Sequence, residues 1–275
     1  MTAIARPATT VRGLSPSQTA LAQTAYVAAR HLRFFLRQPW FVLMALIQPV
    51  IWLLLFGQLF KSVTSIPGFA VSASYLDYLV PGVLVMTALF GCGWSGMSII
   101  EDLDRGIVDR LLTTPIHRTA IIAGLNLYEL VSLGIQAAII AGLAHLLGAK
   151  FEGGILGYGA LTICAMLVGA TVAAFSDAMA LLLRQRESVI GINTMLKLPL
   201  TFLSAAFMPL KLVPDWITTV ATYNPVNWAV EAGRAALAAN PDWPFILPRI
   251  AALLVLALVT TAWATRTFRA YQKAI

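Results

Sequence analysis

Few residues of this chain could make or break bonds, and none of them is grouped for it. His31, His117 and His145 are scattered, with no HExxH or other metal-binding spacing. Cys92 and Cys164 both sit inside apolar runs and read as small packing residues. A phosphate-cradling loop needs Gly-Lys-Ser/Thr, and none of Lys61, Lys150, Lys197, Lys211 and Lys273 follows a glycine. Any ATP-driven work therefore needs an ATPase on another chain. What the sequence offers instead is charge in costly places. Glu129, Asp177 and Lys197 fall within long apolar runs, where ionisable side chains invite a functional reading. A Glu129–Lys197 or Asp177–Lys197 pair inside a bundle is one arrangement. In the other, each group faces a polar cavity or snorkels to the interface.

The densest charge lies in Ile100 to Arg118, where Glu101, Asp102, Asp104, Arg105, Asp109, Arg110 and Arg118 interrupt an apolar chain. Read as a helix, Leu103, Ile107 and Leu111 form one apolar stripe, with the charges largely off it. Thr114-Pro115 ends the helix, because a residue before proline avoids the helical region. A short amphipathic helix between two spans lies at the water boundary. It either touches headgroups or a soluble partner, or is a solvated connection between the spans.

The elements that must position these residues follow from composition. The chain is 59% hydrophobic and 11% charged, where about 25% charged is usual for soluble domains. Several apolar runs reach the roughly 20 residues needed to cross a bilayer, and no alternating strands suggest a β-barrel. The reading is an all-α integral membrane protein with six spans, at about 40–60, 76–100, 119–147, 154–183, 189–208 and 246–268. Pro49 predicts a kink in the first span. Gly91 to Gly96, in the second, is rich in small residues that let helices approach closely.

Residues 1–17 read as a disordered tail, and the absence of an apolar leader core predicts no cleavable signal peptide. Over 18–38, Leu21, Ala25, Ala28, Leu32 and Phe35 share one face while Arg30, Arg33 and Arg37 share another. That pattern is an amphipathic interfacial helix, with its arginines towards anionic headgroups. Residues 209–245 hold five prolines together with Trp216, Trp228 and Trp243. Two half-inserted, re-entrant helices near Pro214–Thr222 and Pro225–Ala238 fit this stretch. No internal repeat supports an inverted-repeat transporter.

Six spans place both termini on one side. Thirteen of the nineteen Lys and Arg fall on that side and five on the other, with Lys197 inside a span. By the positive-inside rule, both termini and the charged segment are cytoplasmic, in the plasma membrane. The net charge of +7 then reflects topology, and no nucleic-acid partner is expected.

Three fragments in order carry a resemblance. They are Phe34-Phe-Leu-Arg-Gln-Pro-Trp40 leading into Gln48-Pro49; Tyr78-Leu-Val-Pro-Gly82 followed by the charged island; and Ser204-Ala-Ala-Phe-Met-Pro209, Pro214-Asp-Trp216, Asn224-Pro225, Glu231 and Arg234. With six spans, they resemble the ABC-2 type transporter permeases, and among those the daunorubicin-resistance-like drug-efflux subunits. The resemblance implies a 39–275 ABC-2 transmembrane domain acting as a half-transporter. Two such subunits, identical or sister chains, would sit in lipid on two cytoplasmic ATPase subunits that carry the ATP and Mg, with no cofactor on this chain. A coupling helix at about 101–115 would pass on ATP-driven closure through Glu101, Asp104, Arg105, Gly106, Asp109, Arg110, Leu111 and Pro115. Arg184, Arg186 and Glu187 of a second turn would assist, as would the helix before Trp40. The 209–245 segment would cap the pathway from outside.

A pathway lined by Phe, Trp, Met and Leu suits amphipathic or apolar cargo. The candidate pathway residues are Trp94, Ser98, Glu129, Asn193, Thr194, Lys197, Thr201 and Ser204. The polar ones of the fifth span either bond across a dimer or serve helix packing. The function expected is a non-enzymatic exporter permease for drugs or lipids. The alternatives are an ATP-independent channel or secondary carrier, a membrane enzyme acting on lipid, and an exporter of lipid, glycolipid or polysaccharide. The charged cytoplasmic helix favours the exporter, since a channel needs no docking element. The lack of an acid, base or metal cluster disfavours the enzyme.

Overall fold

Helix α1 (Pro16–Arg37) opens the computed structural model, which describes residues 16–37, 39–60, 74–104 and 118–273. All regular structure among the described residues is helical. The apolar face of α1 buries Val27 and Ala28. It lies so close to the following bundle that a Cβ on Gly124 would come within 2.6 Å of Val27 Cβ. Helix α2 (Pro39–Ile51) starts on a proline, which suits a first turn, and passes through a π-helical turn, Trp52–Phe56, into Gly57–Leu59. Pro49 has no N–H for the ladder and crowds the preceding turn, so the break expected there appears as a π turn three residues on.

The second expected span is two helices. Helix α3 (Tyr75–Cys92), capped by Ser74, is buried on nearly every side. A turn at Gly93-Trp94 separates it from α4 (Ser95–Asp104). The coupling helix expected at 101–115 therefore begins as the last turn of α4 and not as a separate element. Its remainder, 105–115, lies outside the described residues. Helices α5 (Arg118–Leu146), α6 (Gly154–Leu183), α7 (Arg186–Phe202), α8 (Asp215–Tyr223), α9 (Pro225–Leu237) and α10 (Trp243–Lys273) follow.

Four stretches are long and apolar enough to cross a membrane: Tyr75–Asp104, Ala123–Leu146, Gly154–Leu183 and Trp243–Ala270. The apolar part of α2 and its continuation, Leu46–Leu59, is shorter. Helix α6, with 30 residues, is about 45 Å long, more than the roughly 30 Å of a hydrocarbon core. It is the central post, packed by α3, α4, α5, α9 and α10. Leu79, Leu84, Leu89, Leu133, Ile140, Leu161 and Leu253 fill the space between them. Helix α10 turns Leu254, Val255, Leu258 and Val259 outward, as a lipid-facing helix does. At one end α6 abuts α9, where a Cβ on Gly157 would lie 2.1 Å from the Ala236 carbonyl oxygen.

The fifth expected span, 189–208, is corrected. Helix α7 starts at Arg186 and stops at Phe202, because side chains distant in sequence take the backbone groups that follow. Asn224 Nδ2 donates to the carbonyls of Leu200 at 2.8 Å and Leu203 at 2.7 Å, and Asn227 Oδ1 accepts from Ala205 N at 2.9 Å. Irregular backbone inside a bundle needs such partners.

Candidate functional site

The turn between α3 and α4 gathers most of the polar groups of the bundle. A helix end leaves carbonyls without intrahelical partners, and here Lys197 of α7 reaches one of them. Its Nζ donates to the Phe90 carbonyl at 3.4 Å, near the negative end of the α3 dipole. The same ammonium lies 5.0 Å from the centre of the Trp94 ring and 5.9 Å from that of Phe90. No ion pair joins Lys197 to Glu129 or Asp177 among the described residues. The pairings conceivable from sequence give way to a carbonyl and two aromatic faces, because the break in α3–α4 exposes that carbonyl beside α7.

Ser176 of α6 knits the same turn together. Its Oγ donates to the Gly93 carbonyl at 2.9 Å and accepts from Gly96 N at 3.2 Å and from Asn193 Nδ2 at 3.0 Å. Asp177, next in sequence, is fully buried. Glu129 of α5 is half-buried and within electrostatic range of it. Thr201 Oγ1 bonds back to the Lys197 carbonyl at 2.8 Å and Ser204 Oγ to the Thr201 carbonyl at 2.6 Å. The hydroxyls expected to reach across a dimer therefore bond within the chain. Ser98 is half-buried on α4, while Trp94 and Thr194 are exposed.

The charged end of α4 forms a second constellation. Asp102 pairs with Arg30 of α1 at 3.3 Å, and Asp104 pairs with Arg186 of α7 at 2.9 Å. Arg30 also donates to His31 Nε2 at 2.8 Å, a direction fixed because guanidinium carries no acceptor. Burial first, then the Arg30 charge, hold the His31 pKa below its ordinary 6.5, against an opposing pull from Asp102. Arg184 takes a left-handed conformation, φ 52°, and so turns α6 sharply into α7. Arg184, Arg186 and Glu187 are exposed at that turn, beside the end of α4 that carries Glu101 and Asp104. Arg105, Gly106, Asp109, Arg110, Leu111 and Pro115 lie outside the described residues.

At the opposite end of the bundle, the second and third sequence fragments meet. Tyr78 Oη donates to the Ala205 carbonyl at 2.9 Å, and Arg234 Nη2 donates to the same oxygen at 2.9 Å. A Cβ on Gly82 would lie 2.4 Å from the Ala206 oxygen. Tyr78, Gly82, Asn224, Asn227 and Arg234 were not among the candidate site residues, yet they hold the 203–207 turn beside the candidate pathway. The available signal was the recurrence of polar residues within short apolar helices. Ser95 and Ser176 were missed for the opposite reason, since a serine in an apolar run reads as packing. No group of three or more His, Cys, Asp and Glu among the described residues could hold a metal ion.

The family model for the ABC-2 type transporter matches residues 22–238. The chain is 31% identical over 211 residues to the "Putative transport permease ycf38" of Porphyra purpurea, covering 76% of this chain and 71% of that one. It is 29% identical over 189 residues to the "Daunorubicin resistance ABC transporter permease protein DrrB1" of Streptomyces coeruleorubidus, covering 68% and 65%. It is 23% identical over 168 residues to the "Probable doxorubicin resistance ABC transporter permease protein DrrC" of Mycobacterium tuberculosis, covering 61% and 60%. An all-helical chain with apolar helices long enough to span, matched along most of its length, belongs to the ABC-2 type transporter family, as the permease subunit and not the ATPase.

Proposed function

We propose that this chain exports amphipathic drugs or lipids from the cytoplasm or inner leaflet, driven by ATP hydrolysis on a separate chain. The observation that carries the reading is the double tether on α4. Asp102 and Asp104, two residues apart, hold Arg30 of α1 and Arg186 of α7. One short helix end is thereby linked to the amphipathic helix and to the α6–α7 turn. A displacement of the 101–115 segment would move α1 and α7 with it, and α7 carries Asn193, Lys197 and Thr201 of the candidate pathway. The names of the drug-resistance relatives support the choice of cargo, and the aromatic and methionine side chains along the route suit it.

In this reading two permeases, alike or sister chains, sit on two ATPases, and the complex holds six spans per permease. The broken α2 segment and the 17-residue α7 are the first and fifth spans, and α8 and α9 are re-entrant helices on the outer side. Both termini are cytoplasmic, as the arginine distribution favours. The chain then works as an uncovered tail at 1–17, an interfacial helix at 18–38 and a transmembrane domain at 39–275. Glu101, Asp104, Arg105, Gly106, Asp109, Arg110, Leu111, Pro115, Arg184, Arg186 and Glu187 form the ATPase-facing surface.

The test is reconstitution of the complex in vesicles with candidate amphipathic drugs and fluorescent lipids. Substrate-stimulated ATP hydrolysis with vectorial transport is expected. Transport by the permease alone, without nucleotide, would overturn the reading. In parallel, Arg105→Glu with Arg110→Glu is expected to weaken co-purification with the ATPase and leave membrane insertion unchanged. Full coupling in that double variant would remove the docking role.

A further inference from the structure

Four buried side-chain oxygens at the α3–α4 turn have no hydrogen-bond partner among the described residues: both carboxylate oxygens of Asp177, Ser95 Oγ and Asn193 Oδ1. Asp177 is 0% exposed, Ser95 1% and Asn193 3%. They surround one hub. Asp177 follows Ser176 in sequence, Ser95 precedes the Gly96 whose N–H bonds Ser176 Oγ, and Asn193 donates its amide to that same oxygen. Helices α4 and α6 touch here, since a Cβ on Gly96 would lie 2.4 Å from the Ser176 carbonyl oxygen. Ser95 is an electrostatic neighbour of the Asp177 carboxyl, yet neither group completes a hydrogen bond.

The unmet needs are of one kind. A carboxylate in a dry interior is strongly unfavourable without a partner, and Ser95 has only one proton to offer. The Asn193 amide nitrogen is already committed to Ser176 and to the Val189 carbonyl at 3.0 Å. The cation closest in the bundle, Lys197, is turned to Phe90 and Trp94. Glu129 on α5 adds negative charge within range of Asp177, and Cys92 on α3 supplies no counter-charge. A carboxylate, a hydroxyl and an amide oxygen are hard ligands that suit a hard cation. A divalent ion such as Ca2+ draws on more oxygens and more carboxylates than converge here.

We propose that Asp177, Ser95 and Asn193 form a buried site for an alkali cation, which fastens α4 to α6 and α7. The site stands on the geometry of the turn and does not depend on which cargo is exported. Its place matters because α4 is also the helix whose far end carries the Asp102 and Asp104 tethers.

The experiment is thermal unfolding of the full chain in detergent, in sodium, potassium or choline chloride at equal ionic strength and fixed pH. The wild type is expected to melt about 2–4 °C higher in an alkali chloride than in choline chloride. Asp177→Asn is expected to melt alike in all three salts, and Ser95→Ala and Asn193→Ala to show a smaller difference than the wild type. If Asp177→Asn does not fold, the two milder variants carry the comparison. Equal melting of the wild type in every salt overturns the site. So does stabilisation by lowered pH alone with the salts alike, which would mean that the Asp177 carboxyl carries a proton and no metal ion.

Discussion

The guanidinium carbon of Arg234 lies 3.6 Å from the centre of the Tyr78 ring, and Nη2 donates to the carbonyls of Tyr78 at 3.3 Å and Ala205 at 2.9 Å. The Tyr78 hydroxyl meets the same Ala205 oxygen. One arginine on α9 thus binds α3 to the turn that ends α7, using its planar face and its fork at once. Arg234→Ala is expected to cost about 2–3 kcal/mol, the worth of a charge-assisted bond together with a face contact. Arg234→Lys is expected to recover little of it, since a point ammonium cannot stack and fork together. Melting of the purified chain in detergent measures both variants. A lysine variant as stable as the wild type would refute the stacking argument.

Close packing at the same turn gives a prediction with two signs. Gly82 faces the Ala206 carbonyl with no room for a methyl group, while Gly91, on the same helix, has nothing within 4 Å of a Cβ. Gly82→Ala is expected to destabilise by about 1–3 kcal/mol, because backbone has to shift. Gly91→Ala is expected to be neutral or to stabilise by up to about 1 kcal/mol, through helix propensity. Paired melting curves of the two variants decide it.

These two positions also show where sequence reading reaches its limit. The bounds of α6 agree with the 154–183 expected, because an uninterrupted apolar run is bounded by Gly153 before it and by Arg184, a left-handed residue, after it. Those are local signals. The end of α7 is not local, since Asn224, Asn227, Tyr78 and Arg234 dictate it from α3 and α9. The partner of Lys197 was equally out of reach, because it is a carbonyl that exists as a free acceptor only where α3 breaks from α4. Trp94 and Lys197 were both read as pathway residues, and here they touch. The two ion pairs of α4 join residues 72 and 82 positions apart, and no periodicity encodes such a separation.

The Arg30–Asp102 pair separates stability from coupling. Arg30 is 38% exposed at its side chain and Asp102 16%, so removing the pair is expected to change stability by less than about 1 kcal/mol. If α1 moves with α4, the loss should instead fall on function. Arg30→Asp is expected to lower substrate-stimulated ATP hydrolysis in the reconstituted complex severalfold, and the swap of Arg30→Asp with Asp102→Arg to restore most of it. A single variant with full stimulation, or a swap that restores nothing, would sever α1 from the coupling route.

His31 makes the same contact dependent on pH. Its Nε2 accepts from Arg30 at 2.8 Å, and burial together with the Arg30 charge keep its pKa below the ordinary 6.5. The folded state therefore prefers the neutral ring. The stability this contributes is present above pH 6.5 and is lost as pH falls from there through the depressed value. Protonation would remove the acceptor and place a second positive charge beside Arg30, loosening α1 from α5. Val27, buried against Gly124, reports that loosening. A Val27→Cys variant is expected to react with maleimide faster at about pH 5.5 than at about pH 7.5, after correction for thiolate content. His31→Asn, which does not titrate, is expected to abolish the difference. The native thiols, Cys92 and Cys164, are both buried and supply the background rate. A pH step that survives in the His31→Asn variant would place the titrating group elsewhere.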